Sequence, residues 1–285
     1  VTSIKASSLT ELQGYLLSHK ADVGEFKLRG PFAVAVRENQ ELRLSASERV
    51  NTDWFLAAPA GKAPLAIFLH GHDSSKEAHA YQAQHLASWG IHSLTLQLPN
   101  NGPWSTNGRT LARVVELVHR QPAAIDGRID VSRIILVGHS FGASAAAVAL
   151  AEGAPAAGAV MLDPAAIGRD LPKLLDRIKV PVMVLGADEH VTATRNRGYF
   201  FRFMRAGVAE LSIRDATHED AQYPSEHSLQ YVGGDSTVTE ASQIAFVSAL
   251  TAAALSLSST GKFDYAWASF GEAFDKGQFF NPRRK

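Results

Sequence analysis

Arg133-Ile134-Ile135-Leu136-Val137-Gly138-His139-Ser140-Phe141-Gly142 is the stretch that decides how this chain is read. Its apolar run is continuous rather than alternating, which suits a strand covered on both faces, as in a parallel sheet. Immediately after it, Ser140 to Glu152 is rich in alanine, and side chains that small let a helix pack closely on a sheet. Between strand and helix stands Gly138-His139-Ser140-Phe141-Gly142, a Gly-x-Ser-x-Gly turn in the strand–turn–helix setting that the motif requires. The glycines let strand and helix approach each other, and the sharp turn forces strained backbone angles on the serine and exposes its hydroxyl above the sheet. A helix N-terminus at that point favours negative charge developing nearby.

Outward from this centre, strand-like and helix-like segments alternate. Pro31 to Arg37 and Val50 to Ala57 read as early strands, and Pro64 to His70 is a second buried run ending at Gly71. Residues 76–89 have helical spacing closed by Gly90. Ile91 to Leu98 is a strand, and residues 107–120 are helical. Beyond the elbow follow a strand at Ala157 to Leu162, a short helix at Leu171 to Ile178, a strand at Pro181 to Leu185 and a helix over 192–206. Ala209 to Arg214 reads as the last strand, with a long apolar-periodic helix over 239–257. Strands separated by helices imply right-handed crossovers and a mostly parallel sheet of about eight strands with helices on both faces. No Pro/Ser-rich linker and no repeat divides the chain. It is expected to be one domain over 1–285, with residues 1–29 an N-terminal extension and residues 258–285 a tail whose end is frayed and solvated.

Composition narrows the function. Apolar residues make up 46% and charged residues 20%, which is globular rather than disordered. The 28 basic and 28 acidic residues cancel, so no electrostatic footprint for nucleic acid or an anionic membrane is present. With no cysteine, disulfides, thiolate catalysis and cysteine-ligated metals are excluded. No uninterrupted apolar run reaches the roughly 18 residues of a membrane span. The chain opens on Val1 rather than Met, as it would after loss of a leader or trimming, so export stands as an expectation beside a cytoplasmic location.

In open parallel sheets, functional groups gather beyond the carboxyl ends of the strands. Ser140 is so placed, and a serine hydroxyl needs a base to become nucleophilic. His218, in the polar loop Asp215-Ala216-Thr217-His218-Glu219-Asp220 after the last read strand, is the best placed of the 11 histidines. His19, His79, His85 and His119 fall on helices as surface or packing residues, and His190 and His227 are weaker loop competitors. The base needs a carboxylate, and Asp163 and Asp188 both follow strands between Ser140 and His218. The order Ser…Asp…His holds for either, so the residues alone leave both open, with Glu189 a third option. Two backbone amides are expected to stabilise developing negative charge, those of Phe141 and of His72 in His70-Gly71-His72-Asp73. A metal set of His70, His72 and Asp73 fits no known ligand spacing, and no metal or cofactor is expected. Trp104 and His139 are candidates to line a substrate pocket.

The motifs Leu69-His70-Gly71-His72, Gly138-His139-Ser140-Phe141-Gly142 and Asp215-Ala216-Thr217-His218 resemble those of the α/β-hydrolase superfamily, over about Gly30 to Leu257. The resemblance implies an α/β-hydrolase fold and serine ester chemistry. Gly30-Pro31-Phe32-Ala33-Val34 is similar to the cutinase-like polyesterases and the platelet-activating-factor acetylhydrolase group. Met161-Leu162-Asp163-Pro164 resembles the acetylhydrolase and chlorophyllase-like branch, in which the acid follows this earlier strand. Thr217-His218-Glu219-Asp220 through Pro224 and Tyr231-Val232-Gly233-Gly234 are similar to that branch as well. In the polyesterases the acid follows the later strand, where Gly186-Ala187-Asp188 resembles it with a turn about a residue short. The acid is therefore taken as Asp163, with Asp188 the alternative.

The stretch from Asp163 to Lys179 is too short for a helical cap domain, so an open cleft is expected, suited to a small-molecule, lipid or polymeric ester. An acyltransferase using the same serine, histidine and acid, and a non-catalytic ligand-binding homologue, are the competing classes. A dinucleotide enzyme would carry Gly-x-Gly-x-x-Gly after the first strand, and none is present.

Overall fold

The computed structural model describes residues 1–58, 61–205, 207–223 and 239–285. Its strands are β1 (Val34–Arg43), β2 (Arg49–Ala57), β3 (Ala63–Leu69), β4 (His92–Gln97), β5 (Ile129–His139), β6 (Gly158–Leu162), β7 (Val182–Gly186), β8 (Val208–Ile213) and β9 (Phe279–Arg284). They form one sheet in the order β1-β2-β4-β3-β5-β6-β7-β8-β9. The central six strands, β4 to β8 in that order, run parallel, and β1, β2 and β9 are antiparallel additions at the two edges.

The buried runs explain the layering. All residues of β3, β6, β7 and β8 are buried. Because side chains alternate along a strand, Ala66 and Phe68 of β3 enter one core and Leu65, Ile67 and Leu69 the other. The first core takes Leu12 and Leu16 of α1 (Leu9–His19), Leu86 of α2 (Ala80–Ser88), and Phe246 and Leu250 of α7 (Glu240–Thr260). The second takes Val115 of α3 (Trp104–Arg120), Ala146 of α4 (Phe141–Ala151), Leu171 of α5 (Leu171–Asp176) and Phe200 of α6 (Gly198–Phe203). Each fully buried leucine or phenylalanine contributes about 1.5–3 kcal/mol relative to exposure. This two-sided burial is what a parallel sheet needs. The connection from β6 to β7 holds only the short α5.

The helix α7 is long and apolar enough, by length and composition, to cross a membrane, yet most of that stretch is buried inside the fold. It is the principal core helix of its face.

The fold is the expected α/β arrangement, a mostly parallel sheet with helices on both faces, with nine strands among the described residues. Three expectations about segments are corrected. The C-terminal tail is not frayed and supplies the ninth strand. After α7 come α8 (Asp264–Ser269), α9 (Gly271–Asp275) and then β9, which pairs antiparallel with β8. Phe279 is buried there, and Arg283 is neutralised across the ladder by Glu210 of β8. Residues 1–29 are likewise integral: Leu9, Leu12 and Leu16 are buried, and the Thr2 amide donates to the Arg29 carbonyl at 2.7 Å. The helix expected over 192–206 shrinks to α6. Thr192 and Thr194 turn their hydroxyls to other partners, and Asn196 adopts a left-handed φ of 51°, which no α-helix accommodates.

Candidate active site

Register brings the carboxyl ends of the strands into line. Leu69 pairs with Gly138, His139 with Leu162, and Leu162 with Leu185. The next residues continue the ladder: the Ser140 amide donates to the Leu162 carbonyl at 3.2 Å, and the Asp163 amide to the Leu185 carbonyl at 2.7 Å. Ser140 and Asp163 therefore emerge side by side on one edge. Ser140 has φ 56° and ψ −125°, a conformation that side chains rarely adopt and that a tightly determined turn must hold. Its setting does so. A methyl group on Gly138 would lie 2.6 Å from the Gly142 carbonyl oxygen, and one on Gly142 would lie 2.3 Å from the His70 carbonyl oxygen. Only glycine fits at either place. Ser140 stands as the N-terminal cap of α4.

His218 begins a 3-10 turn, His218–Ala221, after β8, set by a capping box between Thr217 and Asp220. The loop is tied to the turn before α2 and to α2 itself: the Tyr223 amide donates to the Ala78 carbonyl at 3.0 Å, and the Gln82 side chain to the Ala221 carbonyl at 2.8 Å. The ring faces Asp163, with Nδ1 2.5 Å from Oδ2. A carboxylate only accepts, so Nδ1 carries the proton and Nε2 is left as the ring's basic nitrogen. Burial opposes charge on His218 most strongly, but the hydrogen bond and the charge of Asp163 outweigh it, and the pKa stands above that of an ordinary histidine. Burial likewise works to raise Asp163. The bond and charge of His218, with Arg197 and Thr194, overcome that and hold the carboxyl well below the usual carboxylate range. The pair is thus an ionised acid beside an imidazole made more basic.

Ser140 is joined to this pair through its neighbours. The His139 ring centroid is 4.6 Å from that of His218, and His139 Nε2–H donates to the His218 carbonyl at 3.0 Å. No side-chain hydrogen bond of Ser140 is formed among the described residues, so its hydroxyl is uncommitted; such contacts often tighten only when substrate binds.

The structure sorts the remaining candidates. Asp188 does not meet His218: its Oδ1 accepts the His190 amide at 3.0 Å and its Oδ2 the Asp215 amide at 2.9 Å. Glu189 pairs with Arg197. His139 is 2% exposed and braces the histidine loop instead of facing a cleft, and burial, with His218 and His79 nearby, keeps it neutral. Burial pushes His79 and His85 down to about 4, so neither serves as a base near neutrality. His190 is exposed, and His227 lies outside the described residues, as do Pro224 and Tyr231-Val232-Gly233-Gly234. His70 commits both ring nitrogens to backbone, Nδ1–H to the Gly71 carbonyl and Nε2 to the Leu98 amide, which leaves none for a metal.

Among the described residues neither the His72 nor the Phe141 amide has an acceptor. Gly71 lies against the serine, since a methyl group there would sit 2.8 Å from Ser140 Cβ. The aromatic rings of His72, Phe141 and Trp104 gather beside the elbow: Phe141 is 6.1 Å from His72 and 5.8 Å from Trp104. Trp104 is 8% exposed and heads α3, and Phe141 is half-buried.

Two residues at the site escape the sequence reading. The Thr194 hydroxyl donates to Asp163 Oδ2, and Arg197 Nη1 donates to Asp163 Oδ1 at 3.0 Å. Both fall in a stretch read as helix. The β-branched pair Thr192 and Thr194, followed by Asn196, was the available sign that it is not helical.

The family described as the alpha/beta hydrolase family matches residues 66–271, well over half of the chain. No curated protein matches the sequence.

Proposed function

Because the chain belongs to the alpha/beta hydrolase family, we propose that it is a serine carboxylic-ester hydrolase in which Ser140 is the nucleophile, His218 the base and Asp163 the acid. The observation that carries this reading is the His218–Asp163 pair beside a strained, uncommitted serine on one sheet edge. Nε2 of His218 takes the Ser140 proton as Oγ attacks the ester carbonyl, and the electron pair of the carbonyl moves to its oxygen. The His72 and Phe141 amides donate to that oxyanion. The imidazolium, stabilised by Asp163, gives its proton to the departing alkoxide. Water, deprotonated by the same histidine, then releases the acid and restores the serine.

The acid's position after β6 supports the acetylhydrolase and chlorophyllase-like branch over the polyesterase branch. The rings of Phe141 and Trp104, with the His72 imidazole at their edge, supply an aromatic wall for the acyl or alcohol part of a small-molecule, lipid or polymeric ester. The test is hydrolysis of p-nitrophenyl esters of graded chain length, a phospholipid and an aromatic polyester, by the wild type and by Ser140→Ala. We expect turnover of at least one ester class, lost in the variant by about 10⁵–10⁶-fold with an unchanged thermal midpoint. Retention of wild-type turnover by Ser140→Ala contradicts the assignment.

A further inference from the structure

We propose that Arg197 is a positioning residue for this reaction: it clamps one oxygen of Asp163, so that the other alone is presented to His218, and shares the carboxylate charge that the imidazole feels. The proposal rests on the ester-hydrolase reading of the same site.

The two oxygens of Asp163 have separate partners. Oδ1 accepts the Ala187 amide at 2.8 Å and Arg197 Nη1 at 3.0 Å. Oδ2 accepts His218 Nδ1 at 2.5 Å and the Thr194 hydroxyl. Arg197 is itself fixed. It is 4% exposed, donates through Nη1 to the Ala187 carbonyl at 2.7 Å, and through Nη2 to Ser212 Oγ at 2.9 Å. The scaffold reserves room for it: a methyl group on Gly186 would lie 2.4 Å from Arg197 Cζ and Nη1. The guanidinium therefore occupies the end of β7, just where the alternative acid turn begins.

The surrounding charges show why arginine stands there. Facing it are Asp163 after β6, Glu189 after β7 with Oε1 2.9 Å from Nη2, and Glu210 on β8 with Oε1 3.7 Å from Nε. Glu210 is also bound by Arg283 of β9. His218 is faced by Asp163, His139 and Glu219. A cavity of about 340 Å³ is lined by Glu189, Arg197, Glu210, Ser212 and Arg283, and none of Ser140, Asp163 and His218 belongs to its lining. Asp163 thus stands between two cations, and Arg197 competes with the imidazolium for its charge. Fixing Oδ1 to the backbone and the guanidinium also prevents the carboxylate from rotating.

The test compares Arg197→Gln, Arg197→Lys and Gly186→Ala, which displaces the guanidinium without removing its charge. Each is measured for kcat and KM against a p-nitrophenyl ester across pH. The His218 ring is titrated by NMR without substrate and assigned by comparison with His218→Gln. In Arg197→Gln we expect kcat to fall about tenfold with KM within about twofold. The imidazole midpoint should rise by about half to one pH unit, because Asp163 no longer shares its charge. Arg197→Lys should restore the midpoint while recovering only part of kcat. Gly186→Ala should lower kcat several-fold. Overturning results are a folded Arg197→Gln with wild-type kcat and midpoint, or both arginine variants losing kcat together with unmoved midpoints. If Arg197→Gln fails to fold, wild-type kcat and midpoint in both Arg197→Lys and Gly186→Ala overturn the proposal. The titration needs no substrate, so the readings separate. A shifted midpoint in a protein that cleaves no ester upholds the clamp and removes the ester assignment. Ester cleavage with an unmoved midpoint does the reverse.

Discussion

Asp163 directly follows β6 and Asp188 follows β7 by two residues, both buried and both on the edge where Ser140 emerges. Asp188 gives its two oxygens to backbone amides, those of His190 and Asp215, and so pins its own turn to the loop after β8. Asp163 gives its oxygens mainly to side chains that carry charge or protons, His218, Arg197 and Thr194, with one backbone amide from Ala187. The difference is one of partners rather than residue type, burial or place in the sequence. A buried carboxylate satisfied by neutral amides is a staple. One satisfied by an imidazole whose second nitrogen has no partner among the described residues has the geometry that the proposed reading asks of the rear half of a proton-transfer pair.

The sharpest way to break this comparison is to neutralise each carboxylate while keeping its shape. Asp163→Asn should lower kcat/KM by about 10³–10⁴-fold, because the amide no longer stabilises an imidazolium or fixes its tautomer. Equal losses in Asp163→Asn and Asp188→Asn would erase the distinction. The pH profile tests the same pair without mutation. Since Asp163 outweighs burial and holds the His218 pKa above its ordinary value, the imidazole stays protonated to higher pH, and with it the base of the proposed reaction. The acid limb of kcat/KM should therefore have its midpoint above about 6.5 and fall about tenfold per unit below it. A midpoint below that value would place the base elsewhere. The smallest effect on activity belongs to Asp188→Asn. It should leave kcat/KM within about threefold while costing about 1–2 kcal/mol in denaturant unfolding, since an amide nitrogen would face a backbone N–H.

How much of this was legible follows from what each residue's meaning depends on. The continuous apolar runs of β3 and β5 and the glycines flanking Ser140 are local signals, and the structure bears out the strands they imply. The choice between Asp163 and Asp188 was not local. Both end strands, and what separates them is where the His218 loop crosses the sheet edge, which depends on its ties to Ala78 and Gln82 far away in sequence. Arg197 was hidden because, in company with Arg195 and Arg202 and beside aromatic residues, it reads as part of the exposed face of a helix. Only Gly186 and the neighbouring carboxylates give it a buried place. The tail failed for a related reason. Pro282, Arg283 and Arg284 look solvated in isolation, but Glu210 on the neighbouring strand neutralises Arg283, and Phe279 is drawn into the core.

The most direct measurement is the mass of the intact protein after reaction with a fluorophosphonate, followed by peptide mapping, for the wild type, Ser140→Ala and His218→Gln. The account predicts a single adduct on Ser140 in the wild type, none in Ser140→Ala, and labelling slowed at least a hundredfold in His218→Gln. An adduct on another residue, or labelling of Ser140 at an unchanged rate without His218, would contradict it.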